Sequence, residues 1–184
     1  MFMQGLGRIF DLSTAVVPVD LNTADAATGK RISMANASGL TIILHTLAGG
    51  ADDLVIDVQQ HTAYVNGTSA DLDSTAVASS TGITQFHIKA ETALDGDEAW
   101  VKVSQAEASE CTVVGATYGA MQKLVAVYVS AAQLGDGYSH LSANLACTTS
   151  TSQLVTVLYL LHDLAVQRNP VNMANALRPG AANV

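Results

Sequence analysis

Leu40-Thr41-Ile42-Ile43-Leu44-His45-Thr46-Leu47 decides the class of fold. Both alternating sets in it are largely apolar, the pattern of a strand buried on two sides. Gln153-Leu154-Val155-Thr156-Val157-Leu158-Tyr159-Leu160-Leu161 is rich in β-branched residues and predicts a central strand. Outward from these two, period two persists. Leu54, Ile56 and Val58 alternate with Val55, Asp57 and Gln59, a half-buried strand. Phe86, Ile88 and Ala90 alternate with His87 and Lys89, and Val101 and Val103 with Lys102 and Ser104. Val125, Val127 and Val129 share a face opposite Tyr128, and Leu141, Ala143, Leu145 and Cys147 share another.

Clusters of Gly, Asp, Asn and Ser separate the strands. Gly49-Gly50-Ala51-Asp52-Asp53, Val65-Asn66-Gly67-Thr68, Asp95-Gly96-Asp97 and Gly135-Asp136-Gly137 are the predicted turns, each with residues that tolerate positive φ. Short strands with such punctuation predict an all-β chain, an antiparallel β-sandwich or jelly-roll-like barrel. The ends differ from the middle. Residues 1–20 hold Phe2, Leu6, Ile9, Phe10, Leu12, Val16, Val17 and Val19 and are expected as an N-terminal arm or edge strand. Residues 21–166 are expected as the single sandwich domain, and residues 167–184, with Pro170 and Pro179, as an extended C-terminal arm. Phe2, Leu6, Ile9, Phe10, Leu12, Arg168, Pro170 and Met173 are the candidate partner contacts.

Composition excludes several classes of function. The chain has 184 residues, 49% hydrophobic and only 13% charged, which is not the composition of a disordered tail. Sixteen acidic against eight basic residues give a net charge of -8, so binding to nucleic acid or to an anionic membrane is not expected. The longest apolar stretches fall well short of the roughly 20 residues of a membrane span. The N-terminus does not resemble a secretion signal, and two cysteines make no disulfide framework, so assembly in a reducing cytoplasm is expected.

Motifs that carry chemistry are weak. His45, His61, His87, His140 and His162 are scattered, without the spacing of metal ligands. His45, in an otherwise apolar strand, is expected as a buried imidazole satisfied by hydrogen bonds. Ser, His and Asp are all present without a nucleophile elbow. Cys111 is a candidate exposed thiol, whereas Cys147 is expected as a small hydrophobe. Gly5-Leu6-Gly7 lacks the third glycine of a phosphate loop. Asp95-Gly96-Asp97-Glu98 resembles a fragment of a calcium loop but lacks the twelve-residue ligand series, and an acidic hairpin turn is expected instead. No catalytic residue, cofactor or metal is therefore expected.

In order along the chain, four stretches carry a family resemblance. Val19-Asp20-Leu21-Asn22 leads through residues 28–34 to Asn36-Ala37-Ser38-Gly39-Leu40-Thr41-Ile42-Ile43. Residues 49–60 form a Gly/Asp loop and a strand ending in Gln. Ala131-Ala132-Gln133-Leu134-Gly135-Asp136-Gly137-Tyr138 enters the strand at 141–146, and Leu158-Tyr159-Leu160-Leu161 precedes Arg168-Asn169-Pro170-Val171-Asn172-Met173. Together they resemble tailed-bacteriophage head decoration (cement or minor capsid) proteins, and residues 62–109 depart from that pattern. The resemblance implies a virion structural protein, assembled in the host cytoplasm, that binds the major capsid protein shell and stabilises it against packaged DNA. It also implies a homo-oligomer, expected as a trimer, and no catalytic residues. Two alternatives stand beside it: a tail or head–tail connector component, and a β-sandwich module binding a carbohydrate or small ligand. A sugar site wants exposed aromatic platforms, and the chain has one tryptophan, Trp100.

Overall fold

A computed structural model of the chain describes residues 5–147 and 152–165. Strand accounts for 54% and helix for 7% of them, in antiparallel sheets packed together as an all-β sandwich. The strands are β1 (Phe10–Asp20), β2 (Ala26–Ala27), β3 (Ile32–Ser33), β4 (Ala37–Thr46), β5 (Leu54–His61) and β6 (Ser69–Asp71). They continue as β7 (Ile83–Glu91), β8 (Val101–Ala108), β9 (Glu110–Val113), β10 (Gln122–Ser130), β11 (His140–Ala146) and β12 (Leu154–Leu164). Sheet A runs β1-β12-β4-β10-β7-β8; sheet B runs β2-β11-β5-β6, with β3 on β11 and β9 on β5. The single-turn helices α1 (Leu21–Ala24) and α2 (Gly115–Tyr118) lie in connections. No helix among the described residues is long and apolar enough to cross a membrane.

The two stretches that predict buried strands pair with each other inside sheet A, Leu44 opposite Val157 and Leu40 opposite Leu161. Their inward sets, Leu40, Ile42 and Leu44 with Val155, Val157, Tyr159 and Leu161, are buried, as are Val125, Val127 and Val129 of β10. From sheet B, Leu54, Ile56, Val58, Leu141, Ala143 and Leu145 complete the core. Inward-facing apolar sets from two sheets are what holds a sandwich together. Three of the predicted turns use left-handed backbone, at Asn66 (φ 60), Gly96 (φ 107) and Gly137 (φ 86).

Residues 10–20 form the edge strand of sheet A. β1 pairs with β12 from Phe10 opposite His162 to Asp20 opposite Leu154, with irregularities between Thr14 and Val16 and between Val16 and Val19. Those irregularities and Pro18 blunt an edge that would otherwise invite another strand. The far end is tied down by Asp20. Its Oδ1 accepts the amides of Gln153 (2.8 Å) and Asn22 (3.1 Å), and its Oδ2 accepts the hydroxyl of Ser152 (2.6 Å). These bonds, the serine hydroxyl's above all, hold the Asp20 carboxyl below its usual pKa.

Tyr159 joins the layers. Its buried hydroxyl donates to the carbonyl of Lys30 (2.9 Å) and accepts the amide of Ala143 (2.8 Å). A side chain on the inner face of sheet A thus satisfies backbone groups on the opposite side of the core.

Candidate docking surface

The outward side chains of sheet A follow from its register. One row runs Leu12, Leu160, Thr41, Tyr128 across β1, β12, β4 and β10. The next runs Thr14, Leu158, Ile43, Ala126, His87, Lys102 out to β8. A third holds Thr156, His45, Leu124 and Lys89. Ile43, Leu124, Leu158 and Leu160 are half-buried, and Leu12 is exposed. An antiparallel sheet with one wet face normally alternates apolar-in with polar-out. In the first two rows, the positions on β1, β12 and β4 are instead aliphatic or hydroxylic and carry no ionised group.

The sequence of β4 predicts cover on both faces, and the described residues bury only one of them. Phase explains the misplacement of His45 too. It shares parity with Thr41 and Ile43 rather than with Leu40, Ile42 and Leu44, so it is exposed instead of buried. Sheet B is different on its outside. Asp57, Gln59 and Asn144 are half-exposed there, with Glu110 and Thr112 exposed beside them. Burial, with the Asp71 and Glu110 carboxylates nearby, raises the pKa of Asp57. One outer face is therefore polar and acidic, and the other carries an aliphatic patch, Leu12, Ile43, Leu158 and Leu160, on β1, β12 and β4.

Four of the candidate contacts gather at one corner of the aliphatic face. Leu6 (39% exposed) and Ile9 (55%) stand on the turn that enters β1, and Leu12 (45%) follows on β1 itself. Phe10 packs over the turn, where a Cβ on Gly5 would meet its ring at 2.8 Å. Phe2, Arg168, Pro170 and Met173 lie outside the described residues. Ile43, Leu158 and Leu160 belong to the same surface and are not among the sequence candidates. Their signal is the two-sided apolarity of β4 and β12.

The polar clusters act within the fold. His61 is the buried histidine: Nδ1 lies 2.7 Å from the Ser69 hydroxyl and Nε2 2.8 Å from that of Ser142, linking β5 to β6 and β11. A hydroxyl–imidazole pair with a carboxylate orienting the ring would resemble a nucleophile and its base, but the second partner here is Ser69, and Ser142 is buried. Lys123, also buried, donates to the carbonyls of Tyr118 (2.9 Å) and Met121 (2.8 Å) and closes the end of α2. Cys111 is not the exposed thiol expected. It faces the core from β9, and burial together with Glu110 pushes its thiol up to about 12, far from a reactive thiolate. Cys147 is buried as a small hydrophobe. The carboxylates of Asp95, Asp97 and Glu98 lie within 4.8 Å of one another. Glu98 Oε1 accepts the amides of Gly96 (3.1 Å) and Asp95, so this carboxylate clips the hairpin turn.

His61 makes stability sensitive to acid. Burial first, and then the neighbouring Arg31 and His140, lower its pKa from 6.5 to about 4. The unfolded chain takes up the proton first, so this contribution is complete above about pH 6.5. It is lost as pH falls through about 4. The midpoint of urea unfolding is expected to fall between those limits, and His61→Gln to flatten that part of the curve. An unchanged slope in the variant would show that His61 is not responsible.

No family model, curated protein or solved structure matches the chain.

Proposed function

We propose that the chain is a virion structural protein, a head decoration subunit that binds the major capsid protein shell through the aliphatic half of sheet A and the turn at residues 5–9. One observation carries the docking surface: two adjacent strands, β4 and β12, are apolar on both faces while the described residues bury only one. An exposed contiguous apolar patch marks an interaction site. The resemblance described above supplies the identity of the partner.

Size fits a lattice better than a pair. Three neighbouring strands about 4.8 Å apart and roughly 30 Å long present about 430 Å² of sheet. A stable two-body interface takes about 800 Å² from each partner. A subunit repeated on a shell, expected as a trimer, offsets that shortfall through multivalency. Because the buried contact would be uncharged, binding should depend only weakly on salt. The test is co-sedimentation of the purified chain with undecorated shells from its own source, at low and high ionic strength. Saturable binding that persists at high salt is expected. No binding to shells, with binding to tails or connectors, would move the chain to another part of the virion.

A further inference from the structure

We propose that the other end of this face holds a second site, a groove that binds the pyranose rings of a neutral saccharide. The groove has a volume of about 450 Å³ and is lined by Thr41, His87, Trp100, Ala126 and Tyr128. Trp100 and Tyr128 are both about half exposed, and they line one groove, with His87 between them, because β7 pairs with β8 on one side and β10 on the other. A sugar ring offers an apolar C–H face and a rim of hydroxyls. It therefore needs aromatic surface to pack on and neutral polar groups beside it.

The platform is held before any ligand arrives. Tyr128 stacks on His162 with ring centroids 5.5 Å apart and planes at 24°. His162 is itself fixed, Nε2 lying 3.1 Å from the Thr41 hydroxyl and Nδ1 2.8 Å from an Asp163 carboxylate oxygen. The Lys89 ammonium sits 5.3 Å from the centre of the Trp100 ring, a cation–π contact that restrains the indole. Rings already in place lose little freedom on binding. An adjoining hollow of about 150 Å³ shares His87 and Tyr128 and adds Thr84 and Gln85, both exposed and able to donate and accept.

Charge selects the ligand. The chain has sixteen acidic residues, yet no described carboxylate lines either hollow. Of the neighbouring cations, Lys89 is occupied by the indole and Lys102 lies beyond His87 on β8. A neutral polyhydroxylated ligand fits this lining, whereas a nucleic acid strand would need a basic track. The groove adjoins the docking surface, since Thr41 pairs with Leu160, but sugar binding to the free chain is read without any shell. Leu12 on β1, at the far edge of that surface, is four strands from His87 on β7, about 19 Å at ordinary strand spacing.

Trp100 is the sole tryptophan, so its emission reports on the groove directly. The intact chain would be titrated with cellohexaose, maltohexaose and chitohexaose, each to about 10 mM, a range that reveals even weak affinity. At least one is expected to give a saturable blue shift. Tyr128→Ala should weaken that binding about tenfold or more, equivalent to about 1.4 kcal/mol. His45→Ala, outside the groove, and Leu12→Asp, at the docking end, should bind as the wild type does. No saturable shift with any of the three, or a shift unaffected by Tyr128→Ala, would overturn the proposal. Tighter binding of hexagalacturonate, abolished by salt, would overturn the assignment to a neutral sugar.

Discussion

Gly29→Ala is expected to destabilise the fold by at least about 3 kcal/mol, at the severe end for a single added methyl group. The cause is proximity rather than backbone conformation. A Cβ at Gly29 would lie 2.0 Å from the carbonyl oxygen and 2.8 Å from the carbonyl carbon of Ala143 in β11. Both are backbone atoms of a central strand, so neither can turn aside. Moving residue 29 away instead would pull on three bonds. Gly29 donates to Asn144 Oδ1 (3.1 Å), Lys30 donates to the Ala15 carbonyl (2.9 Å), and the Lys30 carbonyl accepts the Tyr159 hydroxyl (2.9 Å). The segment between β2 and β3 is thus fastened to both sheets, and the methyl group must break one fastening. Gly96→Ala is the useful contrast. Nothing lies within 4 Å of its Cβ position, but φ is +107, so only backbone strain of about 1–2 kcal/mol is expected. Urea unfolding of the two variants measures both. Equal losses would contradict the assignment of close packing to Gly29.

Leu160→Asp is expected to reduce binding to undecorated shells about a hundredfold or more while the chain remains folded. Leu160 is half-buried on the outer face, opposite Leu12 on one side and Thr41 on the other. In the free subunit the new carboxylate can reach water. In a docked subunit it would be buried without a partner, at a cost of several kcal/mol. Leu12→Asp, at a more exposed position, gives the same reading with less risk to the fold. Thr112→Asp on the outside of sheet B should bind normally, because that face is already acidic. Co-sedimentation gives the affinity, and the unfolding midpoint shows that each variant is folded. Normal binding by both leucine variants would exclude the aliphatic face as the contact.

The repeating strands are legible in the sequence because their alternation spans at least four residues. β4, β5, β7, β8, β10, β11 and β12 all contain stretches that the alternation picks out. β2, β3 and β6 are two or three residues long and have too few positions to show a period, and β9 shows a single alternation over four. Cys111 shares the buried face of β9 with Val113, a phase of only two positions that is lost among the polar residues before it. The pairing of β1 with β12 joins the two ends of the described chain, which no local pattern encodes. His45 illustrates a different loss. When both faces of a strand are apolar, the alternation shows two burial demands but not which of them the chain meets by itself. The candidate contacts at Leu6, Ile9, Phe10 and Leu12 are visible as apolar residues with few local companions. Their continuation onto Ile43, Leu158 and Leu160 requires the strand order. The aromatic groove is not legible at all. The chain's few aromatics argue against a sugar site, and only the pairing of β7 with its two neighbours places Trp100 and Tyr128 along one groove.

Electron microscopy of intact particles from the source of this chain would decide whether it decorates a shell, and by which face. The sandwich is expected in many copies over the shell, with the outer face of sheet A against the major capsid protein and Leu12, Ile43, Leu158 and Leu160 in the contact. A shell on which that face is turned to solvent and the acidic outside of sheet B makes the contact would refute the docking surface, and particles that lack the chain would refute the virion role.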